Sequence, residues 1–427
     1  MDVRISIETI FEDGEVRRHS LGRLSRPCRM TGPEAFGLMV EYAKAILERL
    51  QRAIIDDQLE ELAKASRPCP DCGCVRPVHD YRPRTLDTLF GRLRVRAPRI
   101  RLCDCWDRTT GGHARCVSPL SVFFPDRATP EMRRLQTELG ARHTFREAAR
   151  LMETFPPCAR TQHTTARYCL GRIADGLDER EDAAPSESRD DEASRGPITV
   201  FVDGAHIRCR PEYQRRHLDV VVSKIEGTAA GWRHGDPLTV ISDGEPASPS
   251  LVRNAARASI IHILDWWHVS MRVQHVETTV KGLVETPGFE DLPSLFLKPA
   301  EHLRWNLWRG KIQLVGMYLQ WLIVDYRRVR GDATVAAAAK RAEARCLALY
   351  TYLANNMDAL IDYGARHRRG LPVSRSRAEG CVDDIANTRM GKRRRMRWSP
   401  TGAHRAAVAR VAVLDRRLTI SHRTTAA

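Results

Sequence analysis

The sequence predicts an α/β fold with a mixed β-sheet of strand order 3-2-1-4-5, a helical insertion, and two smaller regions before the sheet. Three observations lead to this prediction. Apolar runs rich in β-branched residues follow one another closely after residue 197, and helical patterning dominates from about residue 266 to residue 363. Cysteine pairs flank an arginine-rich stretch near residue 90, which predicts a separate small hairpin before a helical segment.

Composition indicates a partner that carries negative charge. The 427 residues include 69 Lys and Arg against 53 Asp and Glu, a formal net charge of +16 at pH 7. Neutralising phosphates with these cations releases counterions, so we predict nucleic acid as the partner; an ordinary well-solvated basic protein is the alternative. The length predicts two or three domains. No apolar run is long enough for a membrane helix and the acidic start is unlike a signal peptide, so we predict a cytoplasmic location and no membrane partner.

The chain begins with elements that point to no particular chemistry. Residues 1–66 are predicted to form a short strand, a turn at residues 12–14 and a helix over residues 33–64. The next region differs, because Leu93, Val95 and Ala97 alternate with polar residues after Phe90-Gly91. That pattern predicts two strands joined by a turn.

Two cysteine pairs flank this hairpin at spacings typical of zinc sites. Cys69 and Cys72 form a knuckle before it, and Cys103 and Cys105 follow it. Four thiolates complete a tetrahedral structural Zn²⁺ site, whose binding energy folds a piece too small to own a core. The second pair is C-x-C, where C-x-x-C is usual, so the fourth ligand stays open. Its alternatives are Cys74, His113 and Cys116. Buried cysteines without a metal are the alternative for the whole set.

An arginine-rich helical region is predicted over residues 128–176. Its first helix opens with Thr129-Pro130, its second with the capping box of residues 144–147, and a third follows. Three short helices with brief turns are typical of a helix-turn-helix-like DNA-binding module, in which Arg146 is a candidate DNA contact. The same trio is also common in proteins that bind no DNA.

Two of the apolar runs end in Asp-Gly, at Asp203 and at Asp243. They are the first and fourth of five predicted strands: 198–203, 205–209, 217–225, 237–242 and 259–264. In the order 3-2-1-4-5 those two strands are neighbours, so both carboxylates project from the same edge of the sheet. Carboxylate oxygens bind Mg²⁺, and two such ions promote phosphoryl transfer. The alternative is that each Asp-Gly forms an ordinary turn.

The fifth strand leads into DWWH, in which Asp265 and His268 lie one helical turn apart. His268 is a candidate to contact DNA or to orient a metal ligand. The alternative is a helix-capping Asp with a hydrogen-bonded core His. Trp266 and Trp267 are candidates to stack on an extruded base, with core packing as the alternative.

A third acidic candidate, Glu379, opens a predicted helix after Ser376. Ser376 and Glu379 also match a capping box, which explains this Glu without catalysis, and Asp383 and Asp384 are the alternative acids. A basic segment follows the helix. Its candidate phosphate contacts are Lys392, Arg393, Arg394, Arg395 and Arg397.

The ordered set FVDG, VISDGE, a strand ending in DWWH, WNLWRG and RAEGCVDDIANTRMGKRRRMRWSPTGAH resembles bacterial insertion-sequence transposases of the ISKra type, relatives of the Mutator-like DDE enzymes. The resemblance covers about residues 67 to 418 and is most specific in MRWSPTGAH.

This resemblance implies an RNase H-like catalytic domain for strand cleavage and strand transfer. Asp203, Asp243 and Glu379 match the family's metal ligands for two Mg²⁺ or Mn²⁺ ions, and Asp265 and His268 match its D-x-x-H pair. It also implies a helical insertion between the second and third acids. The implied partners are double-stranded DNA, as terminal inverted repeats and target, and further copies of the chain in a dimer or larger assembly.

The resulting domain organisation has seven parts: an N-terminal strand and helix (1–66), a zinc-ribbon-like hairpin (67–116), a helix-turn-helix-like region (128–176), an acidic linker (177–197), the first part of the RNase H-like core (198–269), a helical insertion (270–370) and the last part of the core with a basic C-terminal segment (371–427). Two other functions compete with the transposase. One is a zinc-containing DNA-binding regulator without catalysis, and the other is a nuclease or resolvase of the same fold.

Overall fold

The computed structural model describes the following residues: 1–25, 37–105, 116–156, 158, 160–183, 198–226, 237–285, 293–391, 394 and 396–418. The chain divides into two units, one of residues 1–182 together with 404–427, and the other of residues 183–403. Within the described residues, none of the helices combines the length and the apolar character needed to cross a membrane.

The first unit contains two small sheets and a set of helices. Its strands are β1 (Asp2–Ile10), β2 (Val16–Ser25), β3 (Val78–Thr88), β4 (Gly91–Arg101) and β5 (Cys116–Val117). Its helices are α1 (Val40–Ala65), α2 (Pro119–Phe123), α3 (Pro130–Arg142), α4 (Phe145–Thr154) and α5 (His163–Ala183). β1 pairs antiparallel with β2, and the second sheet has the order β3-β4-β5.

The N-terminal hairpin corrects the predicted single strand. The turn lies at residues 12–14 as expected, but a second strand, β2, follows it. Sequence patterns do not predict β2, because its residues VRRHSLGRLS are mostly polar and only Leu21 among them is buried.

The β3–β4 hairpin forms, as the alternation of Leu93, Val95 and Ala97 predicts, with its turn at residues 89–90, one position before the predicted Phe90-Gly91. These three side chains are buried and pack with Ile55 and Leu59 of α1. The hairpin therefore shares an apolar core with α1, and the expectation that metal binding alone would fold this piece is wrong.

Three helices occupy the predicted arginine-rich region. The Thr129 side chain caps α3 by accepting from the Met132 N–H at 3.4 Å, and Thr144 caps α4 by accepting from the Glu147 N–H at 3.2 Å. The third helix, α5, continues to Ala183. Residues 177–183 are thus helical and the predicted start of the linker is wrong; residues 184–197 lie outside the described ranges.

The second unit is built on a sheet with helices after it. Its strands are β6 (Thr199–Arg208), β7 (His217–Glu226), β8 (Leu238–Ser242) and β9 (Ile260–Leu264). Its helices are α6 (Ala247–Ala256), α7 (Trp266–Val284), α8 (Pro293–Trp308), α9 (Ile312–Val329), α10 (Ala336–Asn355), α11 (Tyr363–Arg368) and α12 (Ser376–Val382), the last continuing through a π-helical turn (Asp383–Asn387) and a final turn (Thr388–Met390). Short 3₁₀ turns lie at Pro211–Tyr213 and Met357–Ala359.

The sheet is mixed, with the order β7-β6-β8-β9 in the described residues. β6 pairs antiparallel with β7 and parallel with β8, and β8 pairs parallel with β9. The prediction of five strands in the order 3-2-1-4-5 is therefore not matched. The first two predicted strands correspond to the single strand β6, because β7 pairs with β6 along its whole length, through Asp203 and Gly204. The predicted adjacency of the first and fourth strands is confirmed by the β6–β8 pairing.

Helices α7 to α10 share one apolar core, in which Phe296 stacks on Tyr326 with ring centroids 5.1 Å apart.

The predicted assignment of all of residues 371–427 to the sheet-containing unit is wrong, as the helix α13 (Pro400–Leu414) shows. From His404 onward it belongs to the first unit. There Ala409 and Val413 are buried with Ala141 and Leu170, which explains the assignment.

Candidate functional site

Three aspartates lie side by side at one edge of the sheet. β6 pairs with β8 at Phe201↔Ile241, and β8 pairs with β9 at Ser242↔Leu264. Extending the same registers places Asp203 opposite Asp243 and Asp243 opposite Asp265. Asp243 and Asp265 directly follow their strands and Asp203 lies within β6, so the three carboxylates lie on neighbouring parallel strands at the edge where open α/β sheets collect functional groups.

The backbone fixes two of these acids at the ends of their strands. Asp243 begins a tight turn in which its Oδ1 accepts from the Glu245 N–H at 3.2 Å. Gly244 has φ +94°, and a Cβ there would lie 2.8 Å from Oδ1 of Asn356, so this turn requires glycine. Asp265 caps α7 by accepting from the Trp267 N–H at 3.0 Å. The capping interpretation of Asp265 is thus confirmed.

A single arginine, Arg375, contacts all three carboxylates. Its Nη1 lies 2.6 Å from Oδ1 of Asp203 and 3.5 Å from Oδ2 of Asp243. Its Nε lies 3.3 Å from Oδ2 of Asp265, and its backbone N–H donates to Oδ1 of the same residue at 3.3 Å. The loop that carries Arg375 is held to the start of α7, because the Trp266 N–H donates to the Val373 carbonyl at 3.0 Å.

The cluster holds more negative charge than its cation balances. The exposed side-chain fractions are 11% for Asp203, 31% for Asp243, 1% for Asp265 and 10% for Arg375. Burial raises the pKa of Asp203, and the positive charge of Arg375 acts in the opposite direction. When all three acids are ionised, one guanidinium leaves two negative charges of this set unbalanced. Such an excess in a partly buried site attracts a further cation.

Glu379 is not among the three acids that Arg375 contacts. It is an exposed residue of α12, a helix that packs against β6 and β7. The capping-box explanation for Glu379 is wrong, because α12 starts at Ser376 after Arg375 and has no side-chain cap. Of the two alternative acids, Asp383 accepts from the Asn387 side-chain amide at 2.8 Å, and Asp384 lies beside it in the π-helical turn.

His268 is half-buried beside the aspartates, with its ring 6.1 Å from that of Tyr352. Burial lowers the pKa of His268, and the positive charge of Arg272 adds to this effect. Tyr352 donates through its hydroxyl to the Asp243 carbonyl at 2.9 Å, and Arg272 lies over its ring, 4.0 Å from the centroid. His268 is therefore held as a neutral group near the three acids at neutral pH.

The two tryptophans of the DWWH motif have different surroundings. Trp266 packs in the core against Trp308 and Tyr363, with ring centroids 4.8 and 5.0 Å away. It is not free to stack on a base. Trp267 is 54% exposed and stays a candidate for such a contact.

Three of the predicted DNA-contact residues lie within the described ranges, and all are exposed: Arg146 on α4, and Arg394 and Arg397 after α12. Arg394 donates through Nε to the Thr388 carbonyl at 3.0 Å. The other three lie outside the described residues: Lys392, Arg393 and Arg395.

The cysteine cluster of the first unit forms as predicted. The sulfurs of Cys69, Cys72, Cys103 and Cys105 lie within 4.8 Å of one another. Two of their separations are 3.3 Å (Cys69–Cys103) and 4.0 Å (Cys72–Cys103), close to the ~3.8 Å edge of a tetrahedron with Zn–S bonds of about 2.3 Å. In the described part of the chain, this is the one group of three or more Cys, His, Asp or Glu side chains gathered closely enough to hold a metal ion.

The knuckle between the first two cysteines has a defined turn. The Gly73 N–H donates to the Cys69 carbonyl at 2.9 Å with Gly73 at φ +70°, and the Cys69 N–H donates to the Cys74 carbonyl at 2.9 Å. Cys105 belongs to the cluster, which supports it as the fourth ligand. Cys116 instead lies in β5, and His113 lies outside the described residues.

Arg375 is the one central residue of the aspartate cluster that sequence patterns did not single out. It stands in an aperiodic loop, and no spacing links it to acids more than a hundred residues away. Asp265 was singled out, but as a helix cap and as part of the D-x-x-H pair. The position of Asp203, Asp243 and Asp265 at the ends of short apolar runs rich in β-branched residues was the available signal for a row of three.

Replacing Arg375 by Gln should lower the free energy of unfolding by about 3 kcal/mol in metal-free buffer, because it leaves largely buried carboxylates without a cation. Millimolar MgCl₂ should restore much of that loss. Urea unfolding followed by tryptophan fluorescence reports on this unit, since seven of the eight tryptophans lie within residues 183–403.

The matched control is Arg327→Gln, which removes a more exposed arginine from its pair with Glu343. It should cost less than about 1 kcal/mol and show no response to Mg²⁺. Equal losses in the two variants, or a variant at position 375 that Mg²⁺ leaves unchanged, would show that the aspartates are not a divalent-cation site.

Comparison with known proteins adds no assignment: no protein-family model matches this chain, and no curated protein is significantly similar to it in sequence.

Proposed function

We propose that this chain is a DNA transposase of the insertion-sequence kind, whose sheet-containing unit cleaves and joins DNA strands with divalent metal ions. The observation that carries the proposal is the row of Asp203, Asp243 and Asp265 on three neighbouring parallel strands. Holding three largely buried acids around one arginine costs folding free energy. Such an arrangement is typical of a site kept for chemistry.

The aspartates fit a hard divalent cation in donor chemistry and in charge. Their oxygens are the ligands that Mg²⁺ and Mn²⁺ prefer, and their unbalanced charge equals that of one such ion. The oxygens are spread around Arg375 and are less tightly gathered than the four cysteine sulfurs. Metal binding at Asp203 and Asp243 therefore requires the Arg375 side chain to move away.

The proposed chemistry is in-line phosphoryl transfer. Asp203 and Asp243 would hold the cation, which would activate the attacking oxygen and stabilise the leaving oxygen of the phosphodiester. Neutral His268 offers a hydrogen bond to DNA beside this site. Water first attacks the phosphodiester at the element end and its P–O3′ bond breaks, which frees a 3′-hydroxyl. That hydroxyl then attacks a target phosphodiester, and the target 3′-oxygen leaves.

Glu379 is proposed as the third acid, as the family resemblance implies, with Asp265 as its competitor. Glu379 is exposed on α12, a helix that packs against the strand of Asp203. Asp265 shares Arg375 with the other two acids, and it also caps α7. The second metal site of the mechanism rests on Glu379.

The basic residues and the cysteine cluster have supporting roles in this proposal. Zn²⁺ at the four cysteines holds the hairpin ends together, and exposed arginines such as Arg146 and Arg397 contact phosphates. The proposed partners are the terminal inverted repeats, the target duplex, and at least one further copy of the chain.

The proposal is tested by incubating the protein and Mg²⁺ or Mn²⁺ with a supercoiled plasmid that carries the DNA flanking the gene, including both element ends. We expect strand-transfer products in which a 3′ end of the element is joined to new DNA, detected on gels and by sequencing of the junctions. Cuts without junctions would identify a nuclease or resolvase. Neither cuts nor junctions would contradict an active transposase.

One observation favours a second candidate, a DNA-binding regulator without catalysis. Arg375 already supplies the aspartates with a cation, as it would in a site that holds the fold together and binds no metal. For this candidate the plasmid remains intact, and the protein still shifts the mobility of the element ends.

A further inference from the structure

The β3–β4 hairpin carries a row of three exposed arginines on one face. Cross-strand pairs share a face, and three pairs lie on the outward side: Asp87↔Arg92, Thr85↔Arg94 and Pro83↔Arg96. Arg92, Arg94 and Arg96 are all exposed, and they follow one another at every second position of β4. This spacing sets them about 7 Å apart in a straight row.

The opposite face is fixed in the core, so the row cannot turn inward. The inward pair Leu86↔Leu93 is 1% and 0% exposed and packs with Ile55 and Leu59 of α1. Arg84, which pairs with the inward Val95, donates to Ser121 Oγ at 2.6 Å. Arg84 is thus bound within the protein.

The outward arginines are differently placed. Arg92 is neutralised by Asp87, with Nε 2.5 Å from Oδ1. For Arg94 and Arg96, the described residues supply no carboxylate within ion-pair distance. The guanidinium of Arg96 lies 5.4 Å from the centroid of the exposed Tyr81 ring, which extends the same face.

We infer that this outward face, defined by Tyr81, Arg92, Arg94 and Arg96, binds double-stranded DNA by entering its major groove. A two-stranded β-ribbon has the width that the major groove of B-form DNA admits, and arginine recognises guanine edges and phosphates there. Two unneutralised cations in line supply the charge complementarity. The inference rests on the proposed function only in naming DNA as the partner, and it involves no catalytic residue.

The test is a binding titration of the full chain with a fluorescein-labelled B-form DNA duplex of mixed sequence, followed by anisotropy over a range of KCl concentrations. The double variant Arg94→Gln/Arg96→Gln should bind about 10-fold or more weakly. Its slope of log K against log [KCl] should be less steep by about two, at roughly one per phosphate contact. Circular dichroism and zinc content should be those of the wild type, since both side chains are exposed.

The control is Arg18→Gln/Arg328→Gln, which removes the same charge from two exposed arginines elsewhere, each 75% exposed. An equal change of slope in the control would overturn the inference, because it would show that the salt dependence follows the net charge of the protein and not these two residues. A duplex RNA of the same sequence has a major groove too narrow for the ribbon, so an equal loss of RNA binding would also overturn it. The titration measures no cleavage, so a negative result would not argue against catalysis at Asp203. Likewise, a wild-type protein that cleaves no DNA would not argue against DNA binding by this surface.

Discussion

Replacing Asp203 by Asn should reduce Mg²⁺-dependent strand cleavage by about 10³-fold or more and leave DNA affinity within about twofold. The amide keeps the shape of the side chain and removes the charge that the proposed metal site needs. It also keeps an oxygen that accepts from Arg375, now 2.6 Å from Oδ1 of Asp203, so the loop after α11 is expected to stay in place. Cleavage of a labelled element end and anisotropy on the same duplex measure the two quantities separately.

The matched control is Asp219→Asn on the neighbouring strand β7. Asp219 pairs with His206, and its side chain is 75% exposed. It lies on the same sheet without belonging to the aspartate cluster, so its variant should cleave like the wild type. Full cleavage by the Asp203 variant would remove the catalytic assignment of this residue.

The same assay decides the third acid. If Glu379 is the ligand, Glu379→Gln should lose cleavage as severely as the variant at Asp203, although Glu379 is exposed and its loss should cost little stability. If Asp265 is the ligand, the variant at Glu379 keeps its activity. A loss of activity in Asp265→Asn would be harder to interpret, because Asp265 is 1% exposed and also caps α7, so this variant is expected to lose stability as well.

Local patterns predicted the strands and their polarity better than their number. The runs that end at Asp203 and Asp243 are on neighbouring parallel strands, as the Asp-Gly ends suggested. The sequence could not show that β6 continues through Asp203-Gly204, because a turn dipeptide ordinarily interrupts a strand. Only the long antiparallel partner β7, distant in sequence, keeps these residues extended.

Sequence patterns could not predict the place of Arg375 in the aspartate cluster, for a different reason. Arg375 meets its partners across separations of more than a hundred residues, and nothing in its neighbours in sequence reports such a contact. The same holds for α13, whose residues from His404 onward join the first unit through contacts such as Ala409 with Leu170. Helical periodicity predicts a buried face and does not say what covers it.

The structure also changes what zinc is expected to do. Leu86, Leu93 and Val95 are buried against α1, so the middle of the hairpin holds itself together without a metal. Of the four clustered cysteines, only Cys69 is buried. Cys72 is exposed, and Cys103 and Cys105 are only half-buried after the end of β4. Metal binding is therefore expected to order the ends of the hairpin and not its centre.

Replacing Cys103 by Ser should lower zinc affinity by about 10³-fold or more, because a structural Zn²⁺ bound by about 10 to 16 kcal/mol loses one of four thiolates. Mass spectrometry should find about one zinc ion per wild-type chain and almost none in the variant after dialysis against a chelator. Amide hydrogen exchange should speed up at Cys69 and Gly73 and stay slow at Val95. Cys116→Ser is the control and should keep its zinc, while retention of zinc by Cys105→Ser together with its loss in Cys74→Ser would make Cys74 the fourth ligand.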